Sequence, residues 1–279
     1  IYTGTETRNA CYSPQHLQLY ESYSIIRLLE NTAPGRNGGG WIDQGGSSDN
    51  LSRWLDQANA TMLAKAKELM LFNFAVLVDS PALPPLGQQF YRIDEIVGKC
   101  GNPVGVAAWE PFDADGEDQL YNYLGQCGLA VEPSPYFNDK APTVLLTQSS
   151  ACEPDAMEKL EKYVRQGGNA VVTVGFVHET YDKGIKDMTS VRLTHRHVLS
   201  NEFMVSNMNY LQMEVERSDD PILFEVLDYK TNATHSDITI LAGEDNFPMM
   251  TEDNYGKGRL FILNVPENFA DLYNLPKSV

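Results

Sequence analysis

The residues near the start of the chain that are best suited to chemistry are Glu6, Arg8, Trp41 and Asp43. Glu6 and Arg8 lie in the stretch GTETR, and Trp41 and Asp43 lie in GGWID, each at the end of a short segment. Paired carboxylates can cleave a glycosidic bond, a guanidinium can orient a carboxylate, and an indole can stack on a sugar ring. We therefore predict Glu6 and Asp43 as catalytic and Arg8 and Trp41 as substrate-binding. The alternative is a surface ion pair together with a loop aspartate beside a core tryptophan.

Two other patterns near a strand or loop suggest ligand chemistry but lack a necessary part. His195 and His197 flank Arg196, and alternate residues of a strand share a face, so the two imidazoles could bind a metal. No third ligand is evident from the sequence. The stretch NGGG at 37–40 lacks the GxGxxG spacing of a phosphate-binding loop. We therefore predict no metal and no cofactor.

The second half of the chain has several residue patterns of the kind found at catalytic sites. In EKLEKYVRQGGNAVVTVGF (158–176) a helix pattern runs into two glycines and then a strand that we expect to end at Gly175-Phe176. His178-Glu179 follows and provides half of a catalytic triad, but no nucleophile precedes it. Ser149 lacks the G-x-S-x-G elbow. Trp109-Glu110 ends another strand and could line a vestigial pocket. We predict no glutaminase activity.

The overall composition excludes several classes of partner. The net charge is −17, from 21 basic and 38 acidic residues, and such a chain repels nucleic-acid phosphates. No apolar run approaches the roughly 20 residues that span a bilayer, so we expect no membrane partner. The four cysteines form no CxxC pair. The chain opens with IYTGTETR and no initiator methionine, which we expect of a processed chain or a piece of a longer one.

The order of elements predicts an α/β fold in two domains. Strand and helix patterns alternate over about 1–80, with the predominantly apolar stretch LMLFNFAVL as a buried strand. The Pro-rich stretch VDSPALPPLGQQ then marks a boundary, which divides the chain into domains 1–84 and 85–279. The alternation resumes, and 100–180 is expected to form a mostly parallel sheet with helices on both faces. The remainder is richer in strands, with NYGKG as a hairpin turn.

Taken together, these pieces resemble family-42-type β-galactosidases, in LEKYVRQGGNAVVTVGF and in YGKGRLFILNVPEN near the end. In that family a (β/α)8 barrel precedes a domain that is similar to class I glutamine amidotransferases and serves in trimerisation. The resemblance implies partial (β/α) barrel-like units followed by a flavodoxin-like, class I glutamine amidotransferase-like domain with extra β-strands. The second domain would have kept its sheet and lost its chemistry.

The resemblance also implies where catalysis would lie. IYTGTET, GGWID and LMLFNF would correspond to barrel strands 6, 7 and 8. The family's nucleophilic glutamate ends strand 7, and the matching position here is near Asp43, which is a departure from the family pattern. Its acid/base glutamate follows strand 4, which this chain does not contain. We therefore expect a β-galactosidase-like protein that acts on carbohydrate when complete, with this chain alone inactive, and a homo-oligomer. The alternative is a non-catalytic sugar-binding or subunit-interaction module.

Overall fold

The computed structural model describes residues 1–5, 7, 18–42, 51–72, 74–78, 80–206 and 213–279. The chain divides into two compact units: Ile1–Gly105 with Leu124–Pro135, and Val106–Tyr123 with Tyr136–Val279. In the described residues, no helix has both the length and the apolar character needed to cross a membrane.

The first unit begins with alternating strands and helices, as the sequence pattern predicts. These elements are β1 (Tyr2–Gly4), α1 (Glu21–Thr32), β2 (Gly39–Ile42), α2 (Leu51–Leu63), β3 (Glu68–Leu71), α3 (Phe74–Leu77) and α4 (Leu83–Val97). The strands form one parallel sheet in the order β1-β2-β3. Consecutive parallel neighbours joined by helices are the repeating unit of a barrel-like α/β fold.

The two faces of this sheet have different surroundings because neighbouring residues of a strand point to opposite sides. Ile42 is fully buried in a core with Trp54 and Ala58 of α2 and Leu86 of α4. Trp41, its neighbour in β2, is only partly buried. The helices therefore pack on the face of Ile42, and Trp41 points to the opposite face.

Two expectations for this region require correction. The stretch LMLFNFAVL is not one buried strand: β3 ends at Leu71 and α3 follows. Its residues alternate between exposed and partly buried, because β3 is an edge strand with one described neighbour. The Pro-rich stretch expected as a linker is largely helical, since α4 begins at Leu83 with proline in its first turn, where the missing N–H costs little. The domain division at residue 84 stays a prediction.

The remaining elements alternate first and then become strands. They are β4 (Val106–Trp109), α5 (Leu120–Gln126), β5 (Val131–Ser134), β6 (Thr143–Leu146), α6 (Ala156–Gln166), β7 (Asn169–Thr173), α7 (Val174–Thr180), β8 (Arg192–Ser206), β9 (Met213–Asp228), β10 (His235–Ala242), β11 (Asp245–Tyr255) and β12 (Gly258–Leu263). Of these, β5 lies in the first unit, and α5 spans the division.

The sheet of the second unit joins a parallel half to an antiparallel half. Its strands follow the order β4-β6-β7-β12-β11-β10-β8-β9. The pairs β4–β6, β6–β7 and β7–β12 are parallel, as the alternation of strands and helices predicts. The pairs from β12 through β9 are antiparallel, and Tyr255 pairs with Gly258 across the turn expected at NYGKG. A buried cluster of Phe203, Ile222, Phe224, Ile240 and Met249 fills the antiparallel half.

The stretch 158–176 follows its predicted course except at the end. Helix α6 ends at Gly167, whose φ of +118° lies in the left-handed region that glycine adopts without strain. The strand that follows ends at Thr173, three residues earlier than predicted, because Val174 begins α7. Thr173 caps this helix: its Oγ1 accepts a hydrogen bond from the Phe176 N–H at 3.3 Å.

Candidate functional site

The carboxyl-terminal edge of the first sheet carries two aromatic side chains. The rings of Trp41, in β2, and Phe72, just after β3, lie with their centroids 5.1 Å apart and inclined by 35°. Phe72 is 53 % exposed and Trp41 is partly buried, so the pair presents ring surface to solvent. In parallel barrel-like folds this edge is where functional residues gather.

A group of buried hydroxyls fixes the backbone at this edge. The Thr5 N–H donates to the Trp41 carbonyl at 2.9 Å, and the Thr5 Oγ1 donates to the same carbonyl at 3.2 Å. Thr61 of α2 donates to the Thr5 Oγ1 at 2.8 Å, and Ser22 of α1 donates to the Thr5 carbonyl at 2.6 Å. Both helices therefore help to hold the position of Trp41.

Only one of the four residues predicted from sequence is described by the structure. Trp41 lies at the predicted edge, and Glu6, Arg8 and Asp43 lie outside the described residues. Sequence reasoning missed Phe72, which it assigned to the middle of a strand. The signal was present, because Phe72 lies two residues after Met70, which is paired with Trp41 in register.

In the second unit, a carboxylate sits at the turn from β7 to α7. Glu117 Oε2 accepts hydrogen bonds from the Gln148 N–H at 2.7 Å and the Thr173 hydroxyl at 2.5 Å, and Oε1 accepts from the Gly175 N–H at 3.3 Å. Burial raises the pKa of Glu117, and these hydrogen bonds act in the opposite direction. This contact has no local signature in the sequence, because the groups that bind Glu117 lie 31 to 58 positions away.

A second carboxylate lies at the ends of β4 and β6. Glu110 Oε2 accepts a hydrogen bond from the Ser149 hydroxyl at 2.9 Å, and Ser149 is 2.7 Å from the Thr147 hydroxyl. Burial raises the pKa of Glu110, while the Ser149 hydrogen bond lowers it. The Trp109-Glu110 strand end thus holds a desolvated acid, which is a feature that functional and structural polar networks share.

The histidines of the second unit have partners that the sequence did not indicate. His178 bonds Glu225, with 2.5 Å between Nε2 and Oε2, whereas its neighbour Glu179 accepts a hydrogen bond from the Gln148 side chain at 3.4 Å. His197 lies 2.9 Å from Glu267. The tandem His178-Glu179 is therefore not half of a triad.

The second unit has the clearest relationship to a known family. Residues 101–268 match the family model described as "Uncharacterized protein SSO3021, second domain". The chain belongs to this family. The matched region includes Glu110 and Glu117. It also includes the histidines at positions 178, 195, 197 and 235.

Residues 1–97, which precede the SSO3021 second-domain region, match the model described as "Probable glycosyl hydrolase, catalytic domain". No curated protein matches the chain. Solved structures share the fold at low identity. Gan42B, a GH42 β-galactosidase from G. stearothermophilus, aligns with a TM-score of 0.57 and 12 % identity over 91 % of this chain and 45 % of its own.

Two further β-galactosidase structures extend the comparison. The β-galactosidase from Rahnella sp. R3 aligns with a TM-score of 0.57 and 12 % identity over 91 % of this chain and 46 % of its own. The β-galactosidase from Bacillus circulans sp. alkalophilus aligns with a TM-score of 0.56 and 10 % identity over 96 % and 48 %. This member of the SSO3021 second-domain family thus spans about half the length of the solved structures it matches, and its fold is glycoside-hydrolase-like.

Proposed function

We propose that this chain is part of a β-galactosidase-like glycoside hydrolase that cleaves a glycosidic bond with paired carboxylates. One observation carries the proposal: among the residues that the structure describes, helices cover one face of the first sheet and not the other. The opposite face carries Tyr2, Met70 and Phe72, which are 46 %, 40 % and 53 % exposed, next to Trp41. The inner face of a (β/α)8 barrel has this character, because strands from the rest of the barrel complete it.

The proposed catalytic residues follow two neighbouring strands. Glu6 comes after β1 and Asp43 directly after β2, and parallel neighbours lie about 4.8 Å apart. Retention of configuration requires carboxyl groups about 5–5.5 Å apart, and inversion requires about 6.5–9.5 Å. In this proposal Arg8 orients a carboxylate, and Trp41 stacks on the C–H face of a galactoside ring.

A three-stranded sheet cannot enclose such a site, so the proposal requires further barrel strands. They would come from a longer protein or a partner chain. We accordingly propose that the complete protein is active on carbohydrate and that the 279-residue chain alone is not.

For the second unit we propose a flavodoxin-like, glutamine amidotransferase-like domain that has lost its chemistry and serves in homo-oligomer assembly. The parallel pairs β4–β6 and β6–β7 support this proposal. So does Glu117, whose carboxylate occupies the helix start where an amidotransferase elbow would expose its nucleophile.

The test compares hydrolysis of nitrophenyl β-galactoside by this chain, by the full gene product and by variants of the latter. Asp43→Asn and Glu6→Gln should each reduce turnover about a thousandfold, since a catalytic carboxylate contributes about 4 kcal/mol to transition-state stabilisation. The matched control is Asp182→Asn, because Asp182 is an 89 % exposed acid that pairs with Lys186. Turnover that survives both site substitutions would refute the catalytic assignment.

The second candidate is a non-catalytic sugar-binding or subunit-interaction module. The exposed apolar face of the first sheet favours it, since contiguous apolar surface marks interaction sites. Both candidates allow self-association, so turnover separates them: self-association of the full protein without turnover on any glycoside, weakened by Phe72→Ser, would support the module. A monomer that turns over β-galactoside would exclude it.

A further inference from the structure

We propose that His178, His195 and Glu225 form a binding site for a divalent transition-metal ion of the Zn²⁺ class. They lie in α7, β8 and β9 of the second unit, and one ligand atom from each lies within 4.8 Å of the others. Two imidazoles and a carboxylate are a ligand set that zinc takes in proteins. The expectation of no metal rested on His195 and His197 lacking a third ligand, and this cluster does not use His197.

Glu225 is the buried member of the cluster. Its side chain is 8 % exposed, and its Oε2 lies 2.5 Å from His178 Nε2. Its Oε1 is buried and has no hydrogen-bond partner within the described part of the chain. An unpaired carboxylate oxygen in the interior is costly, and a cation at this position would satisfy it. The backbone of Glu225 is fixed, because Asn264 Nδ2 donates to its carbonyl at 2.7 Å.

His195 is brought to the cluster by an irregularity in β8. Leu193 pairs with Leu227 and Arg196 with Val226, so two residues of β8 bulge out between adjacent positions of β9. His195 in this bulge has φ +55°, in the left-handed region. A bulge redirects side chains, and strained backbone of this kind gathers at functional sites. The His195 ring centre consequently lies 5.7 Å from that of His178.

The geometry is close to that of a bound ion. Zinc takes imidazole nitrogen and carboxylate oxygen at about 2.0–2.2 Å, which places tetrahedral ligand atoms about 3.4 Å apart. Binding would widen the 2.5 Å contact of His178 with Glu225 and draw His195 inwards. Rotation of the two side chains is enough, since both histidines are exposed. Three protein ligands leave a fourth position for water, as in sites where zinc activates a water molecule.

The competing explanation is a plain histidine–carboxylate pair beside an unrelated histidine. The second unit offers a matched control for it. His197 lies 2.9 Å from Glu267 with both side chains about half exposed, and no third His, Cys, Asp or Glu among the described residues completes a metal site there. A surface pair of this kind should bind metal no better than an isolated histidine.

The experiment is calorimetric titration of the chelator-treated full chain with Zn²⁺, followed by Co²⁺ as a spectroscopic probe. Wild type should bind one ion per chain, with the visible absorption of low-coordinate Co²⁺. His178→Ala and His195→Ala should each weaken binding at least tenfold, because even indirect support of a ligand is worth 10- to 100-fold. His197→Ala should bind like wild type. Absence of saturable binding to wild type would overturn the proposal, as would equal binding by wild type and His195→Ala.

Thermal unfolding guards against loss of fold in a variant. His195 is exposed, so its replacement by alanine should leave the circular dichroism spectrum intact. Saturating Zn²⁺ should raise the Tm of wild type and of His197→Ala, because a ligand that binds only the folded state stabilises it. It should leave the Tm of His195→Ala unchanged. An equal rise in all three proteins would place the ion elsewhere and refute the site.

Discussion

Glu117 Oε1 accepts a hydrogen bond from the backbone N–H of Gly175, 3.3 Å away, in the first turn of α7. A β-carbon at position 175 would lie 2.4 Å from that oxygen, closer than any real side chain sits. A side chain at position 175 would therefore require the Glu117 carboxylate to move from its place in this turn. The absence of a side chain at position 175 leaves the space that the Glu117 carboxylate occupies.

Gly175→Ala should lower the free energy of unfolding by about 1–3 kcal/mol, the usual cost of overpacking a filled site. The matched control is Gly87→Ala in α4, where an added β-carbon meets nothing within 4 Å. That change should stabilise by about 0.5–1 kcal/mol through helix propensity. Urea unfolding measures both. Equal stability of Gly175→Ala and wild type would contradict the steric argument. As a separate expectation, Gly175→Cys should release no ammonia from glutamine.

Glu110→Gln should remove a pH dependence from stability. Burial raises the pKa of Glu110 above its ordinary value of 4.5, so the folded state holds the proton more tightly than the unfolded state. The free energy of unfolding therefore falls as pH rises from 4.5 through the raised pKa, and levels off above it. Gln keeps the hydrogen bond, because the Ser149 and Thr147 hydroxyls can reverse direction. The variant should thus be more stable relative to wild type at pH 7 than at pH 4.

Glu161→Gln provides a control of opposite sign. A Tyr255 hydrogen bond, followed by Arg165, lowers the pKa of Glu161. Its stabilisation is present above the ordinary pKa and is lost as pH falls through the lowered one. Urea unfolding between pH 4 and 8 should therefore show a slightly lower free energy of unfolding for Glu161→Gln than for wild type at neutral pH. A difference between Glu110→Gln and wild type that stays constant with pH would refute the role assigned to Glu110 burial.

Arg27→Ala should be among the most destabilising single changes in the first unit. The Arg27 guanidinium lies 2.6 Å from Glu132, with side-chain exposures of 9 % and 18 %, and also donates to the Ala64 carbonyl at 3.2 Å. Breaking a buried pair leaves an uncompensated charge and costs about 3–5 kcal/mol. Arg192→Ala breaks the exposed pair with Asp228 and should cost less than about 1 kcal/mol. Denaturant unfolding that gave equal losses would contradict this difference.

The parts of the fold that followed from sequence depend on local pattern. Strand and helix alternation gave the parallel strands, and the glycine after Gln166 gave the end of α6. The turn at Thr173 did not follow, because Val174 and Phe176 are strand formers by type. The chain turns there because Thr173 Oγ1 accepts from the Phe176 N–H and Glu117, 58 positions before Gly175, accepts from the Gly175 N–H. A contact at that separation has no local signature.

The histidine cluster shows the same limit in another form. The alternation rule for strands placed His195 and His197 on one face, and the bulge in β8 breaks that alternation between them. His178 bonds Glu225, which lies 47 positions away, instead of the adjacent Glu179. Composition and spacing indicated the residue types that could bind a metal. Only the register of β8 against β9 decides which of them meet.

Trp41→Leu in the full gene product should weaken substrate binding with little effect on folding. Stacking on an aromatic ring is worth about 0.5–1.5 kcal/mol, so the KM for nitrophenyl β-galactoside should rise about 2- to 10-fold. The free energy of unfolding should change by less than about 1 kcal/mol, since the indole is only partly buried and contacts Phe72 at the sheet edge.

Trp54→Leu is the matched control for this change, because the two residues are of the same type and lie in the same unit. Trp54 is 2 % exposed and packs with Ile42 and Ala58 in the core. Its truncation should lower the free energy of unfolding by about 2–4 kcal/mol, because it removes packing in the core. The KM of the folded protein should stay unchanged, because no aromatic surface at the sheet edge is lost. Steady-state kinetics and urea unfolding on both variants separate binding from stability. An unchanged KM in Trp41→Leu would remove Trp41 from the sugar site and favour the interaction module, since the exposed aromatic pair would then have no role in turnover.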